Sequence, residues 1–247
     1  MDKLSQIAQL KQQISQFRPL STAEVQRLRE EFIIESSYNS NAIEGNTITL
    51  RETVLILKEG ITIAEKPIRE HLDIIGFKDA FNYIYELVAN NEPLTERTIK
   101  DIHSLVLMSN AENRGIYRKI PVRILGAENE PTPPYLIAEE MANLITKYQQ
   151  KLTALNPLEA ISWLHLAFEI IHPFIDGNGR TGRLLLNFEL LKQGYLPVDI
   201  KFTDRAKYYQ CFDDYHKNGQ NVTALLDLIA DYEVKELARY LSILQNR

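Results

Sequence analysis

The sequence predicts a mostly α-helical fold carrying one small β-hairpin, on three grounds. Apolar residues recur every three or four positions in segment after segment. Serine, threonine, asparagine and proline stand where helix starts need them. In one interval the period changes to two, as in a strand. Residues 3–16 form a short amphipathic stretch closed by Pro19. Ser21 and Glu24 have the capping-box spacing and open a helix with Val25, Leu28 and Phe32 on one face. The polar cluster 36–41 is expected to end it.

Thr49 with Glu52 starts the next helix by the same capping logic. Residues 67–90 begin at Pro67 and carry Ile74, Phe77, Phe81, Ile84 and Val88 on one face. A further helix covers about 95–108. Between 115 and 127, Ile120, Val122 and Ile124 alternate with Pro121 and Arg123, and flanking glycines predict a hairpin. Prolines 131, 133 and 134 stop it, and helix resumes near Tyr135. Asn156-Pro157-Leu158-Glu159 is an N-cap, a first-turn proline and a capping glutamate in succession. The helix it opens runs to about Ile171. The next, about 181–193, is apolar nearly all round and belongs at the core, ending at Gly194. Residues 204–217 and 221–245 supply the last two.

Composition excludes several classes. A chain of 247 residues buries a substantial core. Its net charge of −5 argues against a nucleic-acid backbone as main partner. No apolar run approaches the roughly 18–20 residues of a membrane helix. The first five residues lack the layout of a secretory signal. Cys211 is the one cysteine, so an internal disulfide and a multi-cysteine zinc site are both excluded. A cytoplasmic protein is expected.

The chemistry gathers in residues 172–183. Gly177, Gly179 and Gly182 spell a G-x-G-x-x-G string, but a helix precedes it, so the dinucleotide and kinase readings fail on context. Arg180 stands at the third ligand position of a calcium loop and Asn187 at its closing position, which removes that reading. A glycine-bearing turn into a helix aims backbone amides and the positive end of the helix dipole at one point, which binds anions. Arg180 and Arg183, three residues apart, add two guanidinium forks suited to a polyphosphate. Asp176 is placed to hold Mg²⁺, and His172 to act as a general base. Together these define a nucleotide-handling site. His71, His103, His165 and His216 are read as structural or exposed, and Cys211 as a buried small hydrophobe.

His172-Pro173-Phe174-Ile175-Asp176-Gly177-Asn178-Gly179-Arg180-Thr181-Gly182-Arg183 resembles the Fic-family signature H-P-F-x-[DE]-G-N-G-R-x-x-R without departure. The resemblance extends over about residues 40–240. It implies transfer of AMP from ATP to a protein hydroxyl. His172 would deprotonate the target Ser, Thr or Tyr, and Asp176 would coordinate Mg²⁺. Asn178 would hold the α-phosphate, the amides around Gly177 and Gly179 would form the anion hole, and Arg180 and Arg183 would hold the outer phosphates. The hairpin, with Val122 near its middle, would be the flap that clamps the target by strand addition. Tyr208 and Tyr209 would line the adenine pocket, core packing being the alternative.

Ser40-Asn41-Ala42-Ile43-Glu44-Gly45 resembles the [ST]-x-x-x-E-[GN] motif of Fic proteins whose inhibitory helix precedes the core. Glu44 would then pair with Arg183 and displace the γ-phosphate. The resemblance divides the chain into an N-terminal inhibitory region, 1–60, and a core, 61–247, packed as one unit. ATP and a target protein are the implied partners, with a homodimer common in the family. Two alternatives stand beside AMP transfer. One is AMP removal with Glu44 positioning water. The other is a toxin–antitoxin type regulatory module, disfavoured by a chain that ends at Arg247 with no appended DNA-binding domain.

Overall fold

The computed structural model describes residues 2–123 and 130–246. Its α-helices are α1 (Lys3–Ile14), α2 (Thr22–Ile43), α3 (Leu50–Val54), α4 (Ile68–Ala89), α5 (Glu96–Val106), α6 (Ile137–Ala154), α7 (Pro157–Ile171), α8 (Asn178–Lys192), α9 (Arg205–Lys217) and α10 (Thr223–Gln245). The predicted start signals act as expected. The Glu24 carboxylate accepts from the Ser21 amide at 2.8 Å, and Glu52 accepts from Thr49 at 2.7 Å. Asn156 caps α7, its Oδ1 accepting from the Leu158 amide at 2.9 Å.

One boundary differs. The polar cluster 36–41 lies inside α2, which runs on to Ile43. These side chains bond back along the helix: Ser37 Oγ to the Ile33 carbonyl at 2.7 Å, and Asn41 Nδ2 to that of Ser37 at 2.8 Å. Asn39 reaches across to the Asp199 carboxylate at 2.8 Å. Polar residues that satisfy themselves this way continue a buried helix rather than end it.

α8 is the central post, packed against α7, α4, α5 and α2. Residues 180–190 are buried without a break. Leu184, Leu185, Leu186, Phe188 and Leu190 supply its apolar contacts. α1 lies along α10, with Ile7 buried and Lys3 Nζ 2.8 Å from Asp231. A satellite cluster of Ile48, Ile56 and Ile74 fastens the chain after α2 onto α4. Among the described residues no helix is long and apolar enough to cross a membrane.

The predicted β-hairpin flap is not found. Among the described residues no strand forms, and 116–123 run as irregular chain. Ile124 and Gly126 lie outside the described residues. Ile116 and Ile120 are exposed and Val122 half-buried, so the alternation does not divide core from solvent. Pro121 also removes a ladder donor, and an isolated pair of strands is marginal in water. Arg118 holds the segment instead. Its Nε donates to the His172 carbonyl at 2.8 Å and its NH1 to that of Ile120 at 3.1 Å. Its backbone amide donates to the Pro173 carbonyl at 2.9 Å.

Candidate active site

α7 ends on His172, whose backbone turns into the left-handed region at φ 49°. A β-carbon disfavours that conformation by about 1–2 kcal/mol. Arg118 holds the His172 carbonyl on one side, and on the other the His172 amide donates to Phe168 O at 3.0 Å. The ring's Nδ1 lies 3.3 Å from the Glu169 carbonyl, which accepts a hydrogen bond from Nδ1–H and leaves Nε2 with the free lone pair. Burial pulls the ring down to about 4, so it is neutral at pH 7 and open to a proton.

The loop that follows is braced from within. Asn178 Oδ1 accepts from the Phe174 amide at 2.9 Å and its Nδ2 donates to the Phe174 carbonyl at 2.8 Å. The Phe174 ring stacks on His103 with centroids 3.6 Å apart. His103 Nδ1 accepts from the Gly115 amide at 2.8 Å, so Nε2 carries the proton and donates to the Asp176 carbonyl at 2.9 Å. Burial holds this ring down to about 4 as well. α8 then starts at Gly177, which lies at φ 76° and offers no side-chain cap to the first amides. The Asp176 carboxylate, 42% exposed, accepts from the Gly177 amide at 2.6 Å and pairs with Arg69 at 2.5 Å.

Two arginines project from the first turns of α8. Arg180 is buried and held by Asp73 of α4 at 2.8 Å. Arg183, 5% exposed, is held by the end of α2. Its Nε donates to Ser40 Oγ at 2.9 Å, and its NH2 to Ser40 O at 2.8 Å and Glu44 Oε1 at 2.7 Å. Burial is the largest single influence on Arg183 and opposes its charge, but Glu44, Tyr208 and Glu169 together outweigh it, and the guanidinium keeps its proton more firmly than usual. Gly179 lets Glu44 in, because a β-carbon there would meet the Glu44 carboxylate and force it to shift.

The fold thus gathers His172, Asp176, Gly177, Asn178, Gly179, Arg180 and Arg183 around one helix start, with Ser40 and Glu44 closing it. Tyr208 is buried, its hydroxyl bonded to His165 Nε2 at 2.7 Å and its ring 5.7 Å from the Arg183 guanidinium. Tyr209 is the exposed member of the pair, donating to the Ile43 carbonyl at 3.2 Å. His165 is structural, as expected, with Nδ1 3.0 Å from the Gly182 carbonyl. Sequence reading missed Arg69, Asp73, His103, Arg118 and Glu169. Each acts through partners distant in sequence or through backbone groups, and only the wholly polar run 36–41 hinted at buried contacts.

These features define a class: a helical protein whose loop-borne anion site is closed by the end of its own second helix. Residues 93–190 match the Fic/DOC family model. A protein adenylyltransferase Fic of Nematostella vectensis is 31% identical over 91% of this chain and 52% of its own length. The chain spans 43–52% of the length of the first curated relatives it matches. A Fic-domain-containing signalling protein of Bacteroides thetaiotaomicron superposes with a TM-score of 0.89 at 26% identity, covering 98% of this chain and 97% of that one. Fic-1 of C. elegans superposes at 0.84 and 26% identity, over 99% of this chain and 73% of its own. The chain thus carries a Fic/DOC domain in residues 93–190 and resembles Fic proteins over most of its length.

Proposed function

We propose that the chain transfers AMP from ATP to a hydroxyl side chain of a target protein, with release of pyrophosphate, and that Glu44 holds this activity in check. The carrying observation is Arg183, a buried cation in the first turns of α8, bonded to Glu44 at 2.7 Å. A cation so placed has an anion as its natural partner, and an internal carboxylate there competes with a phosphate. The names of the curated relatives, protein adenylyltransferases, support the reaction class.

His172 Nε2 takes the proton of the target hydroxyl as that oxygen attacks the α-phosphorus in line. The open amides at the start of α8 hold the phosphate oxygens, and Arg183 the outer phosphate once Glu44 withdraws. Asn178, already bonded to Phe174, keeps the loop in shape. Arg180, fixed by Asp73, presents its charge without further ordering. Tyr209 would lie beside the adenine, and Val122 with the rest of 115–123 would receive the target. A divalent ion suits Asp176, a half-exposed hard carboxylate. Among the described residues no cluster of three or more metal-ligating side chains forms, so the nucleotide's own oxygens complete such a site. Bound Mg²⁺ would neutralise phosphate charge. Residues 1–60 act as the regulatory part and 61–247 as the catalytic part. A cytoplasmic setting suits a chain whose single cysteine is buried.

The test is self-modification with α-labelled ATP and Mg²⁺. Label is expected in Glu44→Gly, little in the unaltered chain, and none in Glu44→Gly/His172→Ala. Equal labelling with and without Glu44 overturns the inhibitory reading. If no variant is labelled, release of AMP from pre-modified protein decides whether the reaction runs towards removal.

A further inference from the structure

We propose that Glu169 is the positioning residue of His172: its enclosed carboxylate, one helical turn back on α7, orients the imidazole and balances the charge it gains on accepting a proton. The proposal rests on His172 being the base. Glu169 Oε2 lies 3.8 Å from His172 Nδ1, with the Glu169 side chain 11% exposed. Its Oε1 is enclosed without a hydrogen-bond partner. That oxygen lies against the backbone of α8 where Gly182 leaves room, since a β-carbon there would collide with it. A buried carboxylate oxygen with no partner is costly, and such groups persist where function uses them.

The surroundings set when the carboxylate is charged. Arg183 from α8 favours the ionised form, and Glu44 from α2 opposes it. Tyr208 and Tyr209 from α9 are neutral neighbours. His165 on α7 is neutral too, burial holding it down to about 3. With Glu44 in place, burial pushes Glu169 up to about 8 and keeps its proton on. Withdrawal of Glu44 removes one opposing carboxylate and moves Glu169 towards its ionised form, and the imidazolium formed beside it in the reaction moves it further. In the reaction the target's O–H bond breaks and its oxygen bonds the α-phosphorus. The proton goes to Nε2, pyrophosphate leaves with the electron pair of the broken P–O bond, and the Nδ1–H of the resulting imidazolium faces the Glu169 carboxylate.

The experiment compares Glu44→Gly with Glu44→Gly/Glu169→Gln, following His172 by NMR titration and AMP transfer from labelled ATP across pH. Glutamine keeps the shape and removes the charge. In the Glu44→Gly protein the His172 resonances are expected to shift as Glu169 ionises, and that inflection is absent from the double variant. The rate constant at saturating ATP falls roughly three- to ten-fold, its rise with Glu169 ionisation is lost from the pH profile, and KM for ATP is unchanged. Glu169→Asp restores part of the loss. Should transfer be absent throughout while His172 still shifts, the reaction reading falls and the pair stands. A His172 titration indifferent to Glu169→Gln overturns the pair. The same coupling is read without changing Glu169 from its side-chain carboxyl resonance in the Glu44→Gly protein: an inflection at the His172 pKa supports it, and its absence overturns it.

Discussion

Arg183 has three bonds to the end of α2, of unequal worth. The Ser40 carbonyl belongs to the helix backbone and survives any substitution, whereas the Ser40 hydroxyl and the Glu44 carboxylate do not. Charge-assisted bonds are roughly twice as strong as neutral ones. Ser40→Ala is therefore expected to raise self-modification above the unaltered chain but well below Glu44→Gly, measured in the same labelling assay. Equal effects would mean that side-chain charge is not what restrains Arg183. Glu233 offers a test of burial alone. Its side chain is buried on α10, one oxygen accepting from the Leu196 amide at 3.1 Å and the other enclosed without a partner. Burial pushes it up from 4.5 to about 7. A raised carboxylate stabilises the fold below its unfolded value and loses that contribution as pH rises to the folded one. Across pH 4.5 to 7 the stability of Glu233→Gln should thus gain steadily on the unaltered chain in urea titrations; a constant gap refutes it.

At the scale of elements, caps and charges decide what hydrophobic spacing leaves open. The N-cap of α7 is one side-chain bond, Asn156 Oδ1 to the Leu158 amide. Asn156→Ala should cost about 1 kcal/mol by urea unfolding. The 116–123 segment depends on one side chain rather than on a ladder. Arg118 spreads its guanidinium over the carbonyls of His172, Ile120, Thr132 and Ile171. Arg118→Met removes every donor and leaves buried carbonyls unsatisfied, at about 1–3 kcal/mol each for those that water does not reach. Limited proteolysis should then cut first within 116–123, and AMP transfer in the Glu44→Gly background should fall along with it. Cleavage unchanged by the substitution would show that other contacts hold the segment. The helix starts were legible because each cap is local, within three residues. The end of α2 was not, because its polar run is satisfied partly by Asp199, some 160 positions away. The hairpin was misread for a related reason: alternation of apolar residues is evidence for a strand only where one face is buried, and here Ile116 and Ile120 face solvent.

For the whole molecule, α8 carries both the core and the site. Phe188→Ala, in the packed centre, should cost about 3–5 kcal/mol and shift the entire unfolding transition, since the cavity lies where α8 meets its neighbours. A change confined to one local transition would show that α8 is not the cooperative centre. The sequence by itself determined the helical class, most helix starts, the central place of α8 and the loop 172–183. Those features rest on spacing within a few residues, where periodicity, capping and an uninterrupted motif leave little freedom. The tertiary structure decided the rest. It carried α2 on to Glu44 and set that carboxylate against Arg183, 139 positions away. It fixed Arg180 with Asp73, braced the loop through His103, hung 116–123 on Arg118, and enclosed Glu169 beside the base. Apart from Glu169 and His172, one helical turn apart, these are pairings brought together by packing, and only Glu44 with Arg183 is expected beforehand, through the resemblance of residues 40–45 to an inhibitory motif.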